Sequence, residues 1–117
     1  MFPNDAVRFN AGALSIYEHT SDGSNKKVFV HFCPSCGTTV SLTFERWPEM
    51  RGVSRGCYDD PNAVALSSHI WTRSAQTGTA LPQGVECFAK ARMSLEGQAE
   101  PSVKHTTPVM ARPNSDA

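Results

Sequence analysis

The chain has 117 residues, with eleven basic side chains balanced by eleven acidic ones. A zero net charge argues against binding the phosphate backbone of nucleic acid, which needs a clustered positive field. The length suits one domain, and no window approaches the roughly eighteen apolar residues of a membrane span. Residues 1–5 lack the basic and apolar regions of a signal peptide, so we expect a cytoplasmic protein with neither nucleic acid nor membrane as a partner.

Alternation of apolar and polar residues predicts strands in the first part of the chain. Residues 14–17 and 28–32 alternate on either side of an Asp-Gly turn, which predicts a β-hairpin. The clearest segment of period two follows, and it places three apolar side chains on the face expected to meet the core. These are Val40, Leu42 and Phe44, with hydroxyl side chains between them on the opposite face.

The predicted fold class is all-β, with antiparallel strands. We expect a further strand over residues 51–58, weakened by two glycines, and a short one over residues 68–71. Hydrophobic residues become sparse from residue 97 onward, so this part cannot bury enough apolar surface to offset its ordering entropy. The sequence therefore predicts one domain over residues 1–96 and a polar, flexible tail over residues 97–117.

The most informative stretch contains two of the four cysteines, Cys33 and Cys36, as a Cys-x-x-Cys pair. Two intervening residues allow a tight knuckle whose sulfurs converge on one ion at about 2.3 Å. The pair lies between two strand patterns, as in zinc ribbons, so we predict zinc bound by both thiolates. Three alternatives stay open: a redox pair, which normally precedes a helix, two buried thiols of no special use, and an adventitious disulfide.

A closed structural zinc site needs four ligands, and this pair supplies two. The sequence contains no second Cys-x-Cys or Cys-x-x-Cys. His31 lies two residues before Cys33 and would share its face on an extended strand, which makes it the best spare ligand. A second copy of the pair, across the axis of a dimer, is another source of ligands.

The other candidate residues have simpler interpretations. Cys57 and Cys87 are expected to be small buried residues. His69 could line a pocket, although a structural or surface role is the simpler interpretation. Arg51 and Arg55 share a face of the predicted strand and could receive an anion, although a solvated face explains them equally well. The sequence contains no Gly-x-Ser-x-Gly elbow, phosphate-binding glycine loop or His-Glu-x-x-His motif.

Four segments, in order, resemble the glutathione-dependent formaldehyde-activating enzyme (GFA) family, whose domain also occurs in centromere protein V. They are a glycine-led strand ending in tyrosine (11–17), Phe-Cys-x-x-Cys-Gly-Thr (32–38), Gly-Cys-Tyr-Asp-Asp-Pro (56–61) and Ser-His-Ile-Trp (68–71). Together they cover roughly residues 7–90. The resemblance implies a coiled antiparallel sheet bearing a zinc-ribbon-like knuckle, in which Cys33 and Cys36 form half of the structural zinc site.

The resemblance also implies a deficit. Family members usually carry a Cys-x-Cys-Gly segment that completes the structural site, and a Cys-x-Cys-x-x-Cys segment that holds a second, catalytic zinc. Neither occurs in this sequence, so the resemblance is to the C-terminal half of the family domain only, and no residue matches the catalytic ligands.

We therefore expect a non-catalytic, zinc-binding member of the family. An incomplete unit would expose strand edges that self-association covers, so we expect a homodimer, with glutathione as the small thiol ligand that the family implies. One alternative is a carbon–sulfur lyase that acts on thiol adducts of small aldehydes, with the catalytic zinc supplied by another subunit. A further alternative is a truncated gene fragment without a separate role.

Overall fold

The structure is a computed structural model that describes residues 1–9 and 12–112. These residues form short β-strands and 3-10 helices without an α-helix, and nearly all strand pairs are antiparallel, which confirms the all-β prediction. No helix in this part of the chain could span a membrane. The chain divides into two compact units, Met1–Val64 and Ala65–Ala117.

The first unit is built around a five-stranded antiparallel sheet. Its strands are β1 (Phe2–Pro3), β2 (Ser15–Thr20), β3 (Lys27–Phe32), β4 (Thr39–Phe44) and β5 (Met50–Val53). They lie in the order β1-β5-β4-β3-β2, so β2 and β1 are the two edges. Strands β2 and β3 form the predicted hairpin, with six pairs in register. Three short 3-10 helices complete the unit: Asn4–Ala6, Arg55–Cys57 and Pro61–Ala63.

A β-bulge lies at the end of β3, directly before the Cys-x-x-Cys segment. His31 pairs with Ser41, but the next residue, Phe32, pairs with Thr39, so the register shifts between His31 and Phe32. A bulge adds an unpaired residue and interrupts the alternation of side chains between the two faces. The unpaired residue is Val40, between the partners of His31 and Phe32, so the alternation is interrupted in β4.

The burial of the two faces of the sheet differs from the prediction that the apolar face of β4 meets the core. Leu42 and Phe44 share a face as predicted, Val40 is the unpaired residue of the bulge, and all three are half-buried. The fully buried side chain of β4 is instead Ser41, with 0% exposure, on the opposite face. Its hydroxyl donates a 2.8 Å hydrogen bond to the carbonyl of Gly52 in β5. A buried hydroxyl is stable only when it is hydrogen-bonded, and this bond meets that requirement.

The predicted strand over residues 51–58 is shorter than expected. Strand β5 ends at Val53, and residues Arg55–Cys57 form a 3-10 helix. Asp60 then caps the next 3-10 helix, because its carboxylate accepts a 3.0 Å hydrogen bond from the amide of Asn62. Glycine weakens a strand. Gly52 lies in β5 and Gly56 lies in the 3-10 helix that follows, which accounts for the early end of the strand.

The second unit contains five strands of two residues each. They are β6 (Ser68–His69), β7 (Ala80–Leu81), β8 (Glu86–Cys87), β9 (Val103–Lys104) and β10 (Val109–Met110), with a 3-10 helix at Thr72–Ser74. Strand β8 pairs in parallel with β6 and antiparallel with β9, whereas β7 pairs with β10. A small core joins Leu81, Cys87 and Ala111, and Ala75 packs against it.

The domain boundary at residue 96 stays a prediction. Strands β9 and β10 lie within the segment that was predicted to be a tail. Residues 113–117 of that predicted tail, and Ala11 at the start of the glycine-led segment, lie outside the described residues.

The buried hydroxyl of Ser41 gives the first testable prediction. Ser41→Ala removes the hydrogen bond to the carbonyl of Gly52, so the free energy of unfolding should fall by about 1–3 kcal/mol. Ser35→Ala, at an exposed position of the same unit, should change it by less than about 0.5 kcal/mol. Urea unfolding of metal-free protein measures both. Equal losses at the two positions would contradict the role assigned to Ser41.

Candidate functional site

The Cys-x-x-Cys pair forms a tight turn between β3 and β4. The amide of Gly37 donates a 2.8 Å hydrogen bond to the carbonyl of Cys33, and the amide of Cys33 donates a 2.9 Å bond to the carbonyl of Thr38. Gly37 has a φ of 78°, in the left-handed region that glycine adopts without steric cost. The turn therefore holds the two cysteines near each other at the surface.

The two thiols of this turn differ in their surroundings. Both are free, with Cys33 half-buried and Cys36 exposed. The Sγ atom of Cys36 lies 3.1 Å from the hydroxyl oxygen of Thr38. Hydrogen bonds from the side chain and then the backbone of Thr38, together with Cys33, lower the pKa of Cys36 because they stabilise its thiolate. A thiolate is the form in which cysteine binds metals and reacts with electrophiles.

His31 does not join the two thiols. Its Nε2 atom shares a 2.9 Å hydrogen bond with the hydroxyl of Thr43, on a neighbouring strand. Thr43 belongs to β4, which pairs with β3, so this bond holds the imidazole of His31 over the sheet. Within residues 1–9 and 12–112, no three His, Cys, Asp or Glu side chains are close enough together to hold a metal ion. The structure therefore places two thiols, and no third ligand, at the knuckle.

The two remaining cysteines have different environments. Cys57 was expected to be buried, but it is exposed, because it belongs to the 3-10 helix Arg55–Cys57 rather than to a strand. Its Sγ atom donates a 3.8 Å hydrogen bond to the carbonyl of Thr39. Cys87 is buried in β8 as expected, with 6% exposure, and burial raises the pKa of its thiol. The two thiols therefore differ both in access and in acidity.

His69 lies beside Cys87 in the second unit, since the two residues pair across the parallel strands β6 and β8. Its Nε2 atom is buried and has no hydrogen-bond partner in the described part of the chain. A buried ring nitrogen without a partner is uncommon in folded proteins. The backbone carbonyl of His69 accepts a 2.8 Å hydrogen bond from the amide of Phe88.

A polar cluster on the first sheet was not predicted from the sequence. It consists of His31, Ser41, Thr43 and Arg51, and we call it the Arg51 cluster. Arg51 donates from Nη1 to the hydroxyl of Ser41 at 3.2 Å, and its guanidinium lies 5.2 Å from the ring centre of Phe9. Partial burial, followed by the positive charge of Arg51, lowers the pKa of His31.

Arg55 does not belong to the Arg51 cluster. The two arginines were expected to share a strand face, but β5 ends before Arg55. The Nε atom of Arg55 donates a 2.5 Å hydrogen bond to the carbonyl of Pro61. From the sequence alone, the spacing of the two arginines could suggest an anion site. The hydroxyl that binds Arg51 lies on a neighbouring strand, so it could be identified only from the register of the sheet.

Comparison with known families gives one match. The sequence profile of the family described as "Glutathione-dependent formaldehyde-activating enzyme" matches residues 1–74, which is more than half of the chain. The match begins at the first residue, so it does not support the expectation that only the C-terminal half of the family domain is represented. It ends before residue 90, to which the resembling segments were traced. No curated protein and no solved structure matches the chain.

The environments of the cysteines predict the order in which they react. In metal-free protein, iodoacetamide should modify Cys36 first, because it is exposed and its pKa is lowered. Cys87 should react last, because it is buried and its pKa is raised, so that thiolate forms only at higher pH and reaction requires local opening. Peptide mass spectrometry over a time course and a pH series measures this order. Modification of Cys87 before Cys57 would contradict the burial described here.

Proposed function

Because the chain belongs to the glutathione-dependent formaldehyde-activating enzyme family, we propose that it is a zinc-binding member that does not catalyse the reaction in the family's name. The observation that carries the proposal is the surface knuckle, in which Cys33 and Cys36 are free thiols on one tight turn. Two cysteines at this spacing are half of the ligand set of a structural zinc site.

The donor set fits zinc but is incomplete in one chain. The Sγ atoms of Cys33 and Cys36 would hold the ion, and bound zinc would stabilise the fold of the turn. Two ligands are still needed, and the described residues bring no third one to the thiols. Residues 34–38 are all exposed, so a second copy can approach the knuckle directly.

We propose that two chains share one zinc ion and so form a homodimer. Two Cys-x-x-Cys pairs related by a two-fold axis supply four thiolates, which is the number that a closed tetrahedral site requires. The exposure of the knuckle supports this arrangement, since neither a strand nor a loop of the same unit needs to move aside.

The cysteine inventory supports a non-catalytic role. Lyase chemistry on a thiol adduct needs an open metal position at which a thiolate or hydroxyl is polarised, and a closed site offers none. The sequence has no Cys-x-Cys-x-x-Cys segment, and its two other cysteines, Cys57 and Cys87, lie in different compact units.

The alternative is a carbon–sulfur lyase that binds glutathione and acts on its adducts with small aldehydes. The description of the matching family is the observation that favours it. In that case another subunit has to supply the catalytic zinc and its ligands.

Metal content and oligomeric state test the zinc proposal together. We expect about half a zinc ion per chain in a dimer, and dissociation to monomers when a chelator removes the metal. The double variant Cys33→Ser/Cys36→Ser should lose both the zinc and the dimer. Cys57→Ser, which replaces an exposed cysteine outside the turn, is the matched control and should keep both. Elemental analysis and light scattering measure these quantities, and a metal-free protein of undiminished stability would refute the proposal.

Activity is the second test, and the expected result is negative. The purified chain should convert glutathione and formaldehyde to their adduct no faster than the spontaneous rate, because it offers no open metal position. The measurement is adduct formation in the presence and absence of added zinc. Zinc-dependent turnover that is lost in Cys57→Ser or Cys87→Ser would show that these cysteines rebuild a catalytic site in this chain, and it would refute the non-catalytic proposal.

A further inference from the structure

We propose that Arg51 anchors a binding site for the carboxylate group of a small molecule. The site lies on the face of the first sheet that carries the Arg51 cluster, opposite the face of Leu42 and Phe44. It is independent of the zinc and dimer proposals, because none of its residues is a ligand of the knuckle.

The sheet register brings the cluster together on three neighbouring strands. His31 of β3 pairs with Ser41 of β4, and Thr43 of β4 pairs with Arg51 of β5. Directly paired residues of an antiparallel sheet lie on the same face, as do residues two positions apart on one strand. The four side chains therefore form one continuous polar patch.

The guanidinium of Arg51 is fixed in position. Its Nη1 donates to Ser41, whose hydroxyl is fully buried and is itself fixed by its bond to the carbonyl of Gly52. The ring of Phe9 lies 5.2 Å from the guanidinium carbon. A held arginine loses less side-chain entropy when it binds a ligand, which raises its affinity.

The charge of Arg51 has no counterion in the described part of the chain. An ion pair joins Lys27 to Glu18, at 3.2 Å, and does not involve the Arg51 cluster. A guanidinium has five N–H donors, and among the described residues the side chain of Arg51 donates to Ser41 alone. The remaining donors of this partly exposed guanidinium are therefore free to bind an anion through charge-assisted hydrogen bonds.

The unused donors fit a carboxylate better than a dianion. A guanidinium binds the two oxygens of a carboxylate through parallel hydrogen bonds, and the hydroxyl of Thr43 lies beside it as a further polar group. Arg51 is the one permanently charged side chain of the cluster, so it balances a single negative charge. The charged side chains that line the neighbouring cleft are Arg8, Asp59 and Asp60, so the cleft adds no net positive charge that would favour a dianion.

That cleft provides space for the rest of the ligand. It is open, has a volume of about 430 Å³, and is lined in part by Phe2 and Val53. Phe2 pairs with Arg51 and Val53 pairs with Ser41, so the cleft adjoins the Arg51 cluster, although the four residues of the cluster do not line it. A carboxylate at Arg51 would therefore place the body of a small molecule along the cleft.

The experiment is an NMR titration of the full chain with sodium acetate, at constant ionic strength and pH 7. We expect a saturable shift of the Arg51 Nε–H resonance, with a dissociation constant on the order of 1–10 mM. Arg51→Lys keeps the charge but loses the two-pronged geometry, so it should weaken binding by about tenfold or more. Arg55→Lys is the matched control, because Arg55 bonds to Pro61 outside the cluster, and it should bind acetate as the unmodified chain does.

Several results would overturn the proposal. An Arg51 shift that does not saturate, or an equal loss of affinity in both lysine variants, would show that acetate does not bind at this site. Inorganic phosphate that binds more tightly than acetate would overturn the assignment to carboxylates. If Arg51→Lys fails to fold, Thr43→Val should still weaken acetate binding several-fold, and unchanged affinity in that variant would count against the site. A chelator should leave the acetate affinity unchanged, which separates this test from that of the zinc site.

Discussion

The reactive side chains of the first unit lie in two groups, one on each side of the β-bulge between His31 and Phe32. Up to His31, side chains follow the regular alternation of β3 and contribute to a polar face shared with β4 and β5. After the register shift, the chain enters the turn that holds Cys33 and Cys36 at the surface. The imidazole of His31 bonds to Thr43 on the paired strand, so it belongs to the polar face of the sheet and not to the turn.

Ser41 connects that bulge to the rest of the sheet. It pairs with His31 on one side and with Val53 on the other, and its hydroxyl binds both a carbonyl and a guanidinium on β5. A small polar residue is therefore the most buried one of the unit, while its apolar neighbours stay half-buried. The most buried position of this sheet therefore belongs to a hydrogen-bond network, whereas in most sheets it belongs to a hydrophobic cluster.

Local patterns were sufficient to predict the hairpin, the period-two strand β4 and the turn around the cysteines, since each depends on residues close in sequence. Two features depended on distant contacts and were not predictable in the same way. The bulge leaves Val40 of β4 unpaired, and the ring of Phe9 lies against the guanidinium of Arg51. Side-chain alternation describes a strand, but it does not say which face another segment will cover.

The two edge strands of the first sheet differ in their capacity to pair with a further strand. At one edge β1 has two residues, of which Pro3 lacks an amide donor, so a further strand finds little to pair with. At the other edge β2 has six residues, with Ile16 and Tyr17 more than half exposed. The sheet can therefore be extended by an added strand from the β2 side only. Assembly through this edge would end after one pairing event, since the opposite edge cannot continue a filament.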